Sequence, residues 1–237
     1  MPGHAARGRR GRRHFGQHFL GSARLAAQLV ADAGVDDDDR VVELGAGRGI
    51  LTDALAARAA NVLAVELDPH LVRGLVRRFA GVRNVVVLRT DALDVPLPAN
   101  RYRVVANLPF GATTAVLRRL LDAPTCGGLE RADLVVQWQV ARERVRVGER
   151  PPSDLVGAQW GPWWEFRRGR RLPAGSFRPR PSVDAAVLVA LRRDPPLLPV
   201  ASSRRYTNFV ARAFRSRPDA RSISVREWVV RFRDSGR

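Results

Sequence analysis

Asn107-Leu108-Pro109-Phe110 is where chemistry is concentrated in this chain. It follows the apolar run Tyr102, Val104, Val105 and Ala106, which reads as a buried strand. An amide, backbone carbonyls and a flat apolar ring are thus offered at one strand end. An exocyclic aromatic amine is a poor nucleophile because its lone pair is delocalised into the ring. If Asn107 Oδ1 and the Leu108 carbonyl accept its two N–H bonds, the nitrogen can turn tetrahedral and attack an electrophilic methyl. Pro109 fixes the turn and adds no competing donor, and Phe110 can stack on the base. The structural alternative is an ordinary strand-to-helix turn with a core Phe.

A methyl donor needs its own site. Glu43-Leu44-Gly45-Ala46-Gly47-Arg48-Gly49 lies between an expected strand and helix. Its glycine spacing is not the dinucleotide pattern G-x-G-x-x-G, because the third glycine comes one residue early. Glu66 ends the next strand, 21 residues after Gly45, where a carboxylate can accept from ribose hydroxyls. Asp91 ends the third strand and can accept from an adenine amine. The set suits S-adenosylmethionine, with the glycine loop under its methionine part.

Composition narrows the partners. The formal charge is +18, with 41 basic residues, all of them Arg. Residues 1–24 hold six Arg and no acid, residues 25–141 are nearly neutral, and residues 142–237 hold 22 Arg against nine acids. A neutral centre with basic flanks points to a polyanion. Absence of Lys excludes a Walker P-loop and a pyridoxal Schiff base. One cysteine allows no intramolecular disulfide, and no apolar run could span a bilayer. Cys126 has no evident base, and His4, His14 and His70 lack metal-ligand spacing, so no metal is expected.

Short apolar runs at Val41–Leu44, Val62–Val65, Val85–Leu88, Tyr102–Ala106 and Leu134–Val136 alternate with helical patterns at Leu25–Ala33, Ile50–Ala59, Pro69–Phe79 and Thr113–Leu121. This alternation predicts an α/β, doubly wound, mostly parallel sheet with ligands at the strand C-termini. Trp163–Leu172 and Val183–Leu191 read as a closing strand pair. Two short helical patterns follow, around Tyr206–Phe214 and Val225–Phe232.

In order, these motifs resemble the ribosomal RNA adenine N6-methyltransferases, which include the Erm resistance enzymes and the KsgA-type dimethylases. The resemblance runs from Phe15 to about Leu191. It rests on Gln17-His18-Phe19-Leu20, the glycine loop, Glu66-Leu67-Asp68, Asp91-Ala92-Leu93, Asn107-Leu108-Pro109-Phe110 and Phe177-Arg178-Pro179-Arg180-Pro181-Ser182-Val183. Asp133–Arg142 and Trp163–Phe166 look most like actinobacterial Erm proteins. The resemblance implies a Rossmann-like, seven-stranded methyltransferase fold. It implies cofactor contacts at Gln17, His18, Leu20, Gly45, Gly47, Glu66, Leu67, Asp91, Ala92 and Asn107. It also implies that Phe110 and Phe177 help hold a flipped adenine beside Asn107, Leu108 and Pro109.

The implied substrate is the macrolide-site adenine in domain V of 23S rRNA, modified before ribosome assembly is complete, by a cytoplasmic monomer. A KsgA-type activity on small-subunit rRNA, or a non-catalytic RNA-binding factor on the same fold, are the alternatives. His18 stands where the family usually has Asn, and Leu108 replaces a more usual Ile or Pro. Only 46 residues follow Leu191, fewer than the family usually has. The expected organisation is a basic tail at 1–14, a catalytic domain at 15–193 and a short helical RNA-binding region at 194–237. Arg167, Arg168, Arg170 and Arg171 are candidate RNA contacts.

Overall fold

The computed structural model describes residues 17–121, 128–144 and 155–235. The expected N-terminal tail, His4, His14 and Cys126 lie outside them. In chain order the elements are β1 (Phe19–Leu20), α1 (Ala23–Asp32), β2 (Arg40–Leu44), α2 (Ile50–Ala56), β3 (Asn61–Glu66), α3 (Pro69–Arg78), β4 (Val85–Arg89), β5 (Tyr102–Asn107), α4 (Thr113–Leu121), β6 (Leu129–Gln137), α5 (Trp138–Arg144), α6 (Leu155–Trp160), β7 (Trp164–Leu172), β8 (Phe177–Arg178), β9 (Ala185–Arg192), α7 (Ser203–Ser216) and α8 (Val225–Asp234).

Seven strands form one sheet in the order β4-β3-β2-β5-β6-β9-β7. The first five are parallel, and β9 runs antiparallel to both β6 and β7. This is the expected doubly wound sheet with its closing strand pair. Central strands β2, β3 and β5 are buried on both faces, which is why they read as nearly continuous apolar runs. Edge strand β4 has no fully buried position. Strand β6 is longer than Leu134–Val136, because Arg131 folds onto Asp133 at 2.7 and 2.8 Å and so keeps a charged stretch inside the ladder. Among the described residues no helix is long and apolar enough to cross a membrane.

Local chemistry sets the helix starts. Ser22 Oγ accepts from the Leu25 N–H and starts α1. Asp68 Oδ1 accepts from the His70 N–H at 2.7 Å, with Pro69 in the first turn of α3. Arg77 and Arg78 close that helix, where cations oppose the dipole.

The C-terminal helices do not hang free. Tyr206 and Val210 of α7, and Trp228, Val229 and Phe232 of α8, belong to the same apolar cluster as Val104 and Leu134 of the sheet. Tyr206 sits edge-on to Trp163 and Phe232 at 5.5 and 5.3 Å. Trp163 Nε1 donates to the Leu198 carbonyl at 2.9 Å, tying the proline-rich connection to the sheet. Trp160, Trp163 and Trp164 are core residues.

One acid lies inside β2. Glu43 is 1% exposed, and its carboxyl accepts from Thr52 Oγ1 at 2.6 Å. The bond spans the glycine loop from β2 to α2, so both ends of the loop are fixed. Burial pushes the Glu43 carboxyl up to about 8, against the Thr52 bond and with help from the nearby Glu66 and Asp53 charges.

Two outcomes follow from this packing. Trp228→Ala removes a fully buried indole and should cost about 3–5 kcal/mol. Urea unfolding should show a single transition at lower midpoint, whereas a separate C-terminal unit would unfold by itself and leave the main transition in place. Glu43 retains a proton in the folded state that the unfolded chain releases between the ordinary carboxylate range and about pH 8. Its contribution therefore weakens as pH rises through that window, by up to ~1.4 kcal/mol per unit. Glu43→Gln removes that titration, so the difference in melting temperature between the two proteins should shift in favour of the variant from pH 5 to 8.

Candidate functional site

The C-terminal ends of β2, β3, β4 and β5 open into a cavity of about 340 Å³. Of the residues picked out by sequence, Gln17, His18, Gly45, Gly47, Glu66, Leu67, Asp91, Ala92, Asn107, Leu108 and Pro109 line it. Its far wall is built by residues remote in sequence. Strand β1 pairs antiparallel with β8, in the register Phe19 with Arg178 and Leu20 with Phe177. The Gly21 N–H donates to the Ser176 carbonyl at 2.8 Å and extends this clasp.

The glycine loop turns tightly under the cavity. Gly47 has φ +58°, and a Cβ there would lie 2.9 Å from the Phe19 ring. Only glycine lets β1 approach this closely. Arg48, beside it, rests its guanidinium over the same ring at 4.9 Å.

Glu66 is held by backbone donors. One carboxylate oxygen accepts from the Gly47 N–H at 2.9 Å, and the other from the Leu67 and Asp68 N–H groups, each at 2.8 Å. A carboxylate has about four acceptor directions, so about one remains. The sequence suggested acceptance from both hydroxyls of a ribose; in this geometry a second hydroxyl has to share or displace a backbone donor. Asp91 has one oxygen bound to the Leu93 N–H at 2.9 Å, which fixes the carboxylate at the cavity edge.

Asn107 is fixed from the N-terminal side. One N–H of its Nδ2 donates to the His18 carbonyl at 2.9 Å, which fixes the amide, and Oδ1 accepts no hydrogen bond among the described residues. His18 Nδ1 in turn lies 2.9 Å from the Pro179 carbonyl. The His18 ring is tilted against Phe110, with centroids 5.4 Å apart. His18 therefore touches two of the other motifs at once, Asn107–Phe110 and Phe177–Val183, a role its place in the sequence did not reveal.

Leu20, Phe110 and Phe177 are not brought into the cavity. Leu20 is buried and borders a smaller crevice with Glu43, Arg48 and Asn107. Phe110 is half-buried beside His18 and packs on the α1–α2 side of the sheet. Phe177 is 0% exposed. Its pairing with Leu20 directs its ring into the core with Val135 and Val187, so it presents no face to the cavity. Sequence reading missed Glu43 as the partner of Thr52, and Phe19, Asp68 and Thr90 as lining. The acid two residues before Gly45 was the one visible hint. No group of three or more metal-ligating side chains occurs among the described residues.

Comparison with known proteins agrees with this geometry. An rRNA adenine N-6-methyltransferase of Corynebacterium diphtheriae is 35% identical over 207 residues, covering 87% of this chain and 79% of the relative. The mycinamicin-resistance protein MyrB of Micromonospora griseorubida is 39% identical over 204 residues, covering 86% of this chain but 63% of that protein. The crystal structure of the 23S rRNA methyltransferase ErmE superposes with a TM-score of 0.75 at 30% identity, covering 90% of this chain and 84% of ErmE. The profile of the ribosomal RNA adenine dimethylases matches residues 8–224, from ahead of β1 to the connection before α8. With the glycine loop, Glu66, Asp91 and Asn107 gathered on one sheet edge, the chain belongs to the ribosomal RNA adenine dimethylase family.

Proposed function

We propose that this protein transfers methyl groups from S-adenosylmethionine to N6 of an adenine in domain V of 23S rRNA, and so confers resistance to macrolide, lincosamide and streptogramin B antibiotics. The observation that carries this reading is the orientation of Asn107: its Nδ2 is committed to His18, and its Oδ1 remains to accept a hydrogen bond. The likeness to ErmE, a 23S rRNA methyltransferase, favours the large-subunit target, and that to the mycinamicin-resistance protein MyrB favours resistance.

The cavity residues fit the donor. The Gly47 position admits no side chain, Glu66 keeps an open acceptor direction for a ribose hydroxyl, and Asp91 has an oxygen for an adenine amine. Gln17 and His18 would close over the methionine end above Gly45 and Gly47, with Leu67 and Ala92 against the nucleoside and Leu20 supporting from behind. When bound, S-adenosylmethionine supplies an electrophilic methyl on a sulfonium centre.

The chain's own part is positioning. Asn107 Oδ1 and the Leu108 carbonyl accept the two N6–H bonds, which localises the lone pair on N6. Pro109 keeps that carbonyl in place, and Phe110, outside the cavity and half-buried against His18, has the remaining part of its ring for the base. Phe177, from within the core, holds β1 and hence His18 in position. After methyl transfer N6 carries an extra proton and is acidic, so the proton passes to water without a side-chain base. The substrate is 23S rRNA before assembly is complete, and the enzyme works as a cytoplasmic monomer. Its basic tail at 1–14 and its 194–237 region add RNA contacts to the 15–193 catalytic unit.

Labelled methyl transfer to protein-free 23S rRNA tests the reading. Asn107→Ala should lower kcat by about 10²–10³-fold. Transfer to small-subunit rRNA alone would instead make the protein KsgA-like, and RNA binding without turnover would make it a binding factor. Gly47→Ala should displace Phe19 and weaken S-adenosylmethionine binding at least tenfold by calorimetry, with the circular dichroism spectrum unchanged. Equal affinity would mean that β1 does not close the donor site.

A further inference from the structure

The four arginines of β7 looked alike in sequence, but the structure separates them. Arg167 pairs with Glu165 at 2.6 Å, and Arg170 pairs with Asp32 at 2.6 and 3.0 Å. Arg171 pairs with Asp184 at 2.8 and 3.2 Å. Arg168 pairs with no carboxylate among the described residues. Its guanidinium lies 4.9 Å from the centroid of the Trp138 ring, and that of Arg171 lies 4.7 Å from the same centroid.

This arrangement is built from several directions. Trp138 begins α5 at the end of β6, and its backbone N–H donates to the Asp184 carbonyl at 2.9 Å. The Asp184 side chain also accepts from the Ala174 N–H at 2.9 Å. That bond and Arg171 hold the Asp184 carboxyl below its usual range. One residue thus fixes Trp138, Arg171 and the turn leading into β8. A half-buried indole then carries a half-buried guanidinium that pairs with no carboxylate among the described residues. Stacking on the ring orients Arg168 before any ligand arrives, while its N–H edges stay able to fork onto an anion.

Register places this cation relative to the chemistry. Ala106 is opposite Leu134, Leu134 opposite Leu188, and Leu188 opposite Arg168. Arg168 is therefore level with the residue before Asn107, three strands across. At ~4.8 Å per strand the offset is about 14 Å. That distance is too great for a contact with the reacting base and suits the backbone of a neighbouring nucleotide.

We propose that Arg168, stacked on Trp138, binds a phosphate of the RNA strand flanking the target adenine and so sets how that strand lies across the sheet edge. The assignment rests on the functional reading above and adds a subsite to it. Arg167 and Arg170, each neutralised by a carboxylate, contribute little.

The test compares Arg168→Gln and Arg168→Lys with Arg58→Gln, which removes the same charge from the exposed turn between α2 and β3, at the N-terminal end of β3. Affinity for a protein-free domain V fragment is measured across a salt series, together with kcat, KM, S-adenosylmethionine affinity and melting temperature. Arg168→Gln should weaken RNA binding about tenfold and reduce the salt slope by about one. It should raise KM for RNA, with cofactor affinity and melting temperature unchanged, while Arg58→Gln matches the wild type. Arg168→Lys keeps the charge but not the flat stacked fork, and should fall between. If Arg168→Gln matches Arg58→Gln in a wild-type background that methylates the fragment, the assignment is wrong and the functional reading stands. If Arg168→Lys equals the wild type, the Trp138 platform has no part in binding. A wild type that neither binds nor methylates the fragment overturns the functional reading and this subsite with it.

Discussion

The bond from Asn107 Nδ2 to the His18 carbonyl is the constraint on which the site depends. It joins a strand end to a segment 89 residues earlier and decides which amide atom remains available. One N–H is spent on the protein, which fixes the amide and leaves Oδ1 as its acceptor. The same His18 backbone belongs to the stretch that enters β1, and β1 is held by β8. Through the His18 ring, the Pro179 carbonyl and Phe110 are fixed to the same point. An amide that could rotate would offer N6 a donor half of the time and would lose the selective acceptance on which amine activation rests.

That constraint would be of little use on a loose loop, and two buried contacts remove the looseness. Glu43 and Thr52 bracket the glycine loop from below, and Glu66 grips it from the side through the Gly47 N–H. The costs differ. Glu43 is deprived of water and responds by holding its proton, whereas Glu66 has three backbone donors around its charge. Two acids about one loop therefore do different work. One supplies a buried structural hydrogen bond, and the other a carboxyl group with an acceptor direction to spare. Further out, the aromatic cluster of α7 and α8 lies on the same core as β5 and β6, so the C-terminal helices also stiffen the sheet that carries Asn107.

Much of this was legible in the sequence, and the parts that were not share a cause. Strands β2, β3 and β5 declared themselves because burial on both faces demands apolar runs. The glycine loop, Glu66, Asp91 and Asn107 declared themselves because polar groups at the ends of such runs stand out. Pairings over long separations left no local trace. Nothing near Phe19 indicates that it meets Arg178, and nothing in Phe177 distinguishes a pocket aromatic from a core one. The two-residue strands β1 and β8 are too short to show a period of two. The charged start of β6 was hidden because Arg131 and Asp133 neutralise each other only once folded.

The charge of the chain teaches the same lesson from the other side. A formal +18 suggests that any arginine is free to meet a polyanion, yet many are spent internally. Arg103 bonds Asp39 and the Ala33 carbonyl and ties β5 to the end of α1. Arg131 does similar work with Asp133 and the Asp32 carbonyl. Arg192 and Arg193 donate to the carbonyls of Leu129 and Gly161. A guanidinium serves these roles because its five donors can satisfy a carboxylate and a carbonyl together. Among the described residues a few arginines, Arg168 among them, are instead held by an aromatic ring. A cation held by an aromatic face keeps its full charge and loses only its freedom to turn. That combination lets a basic surface hold a strand in one orientation as well as attract it.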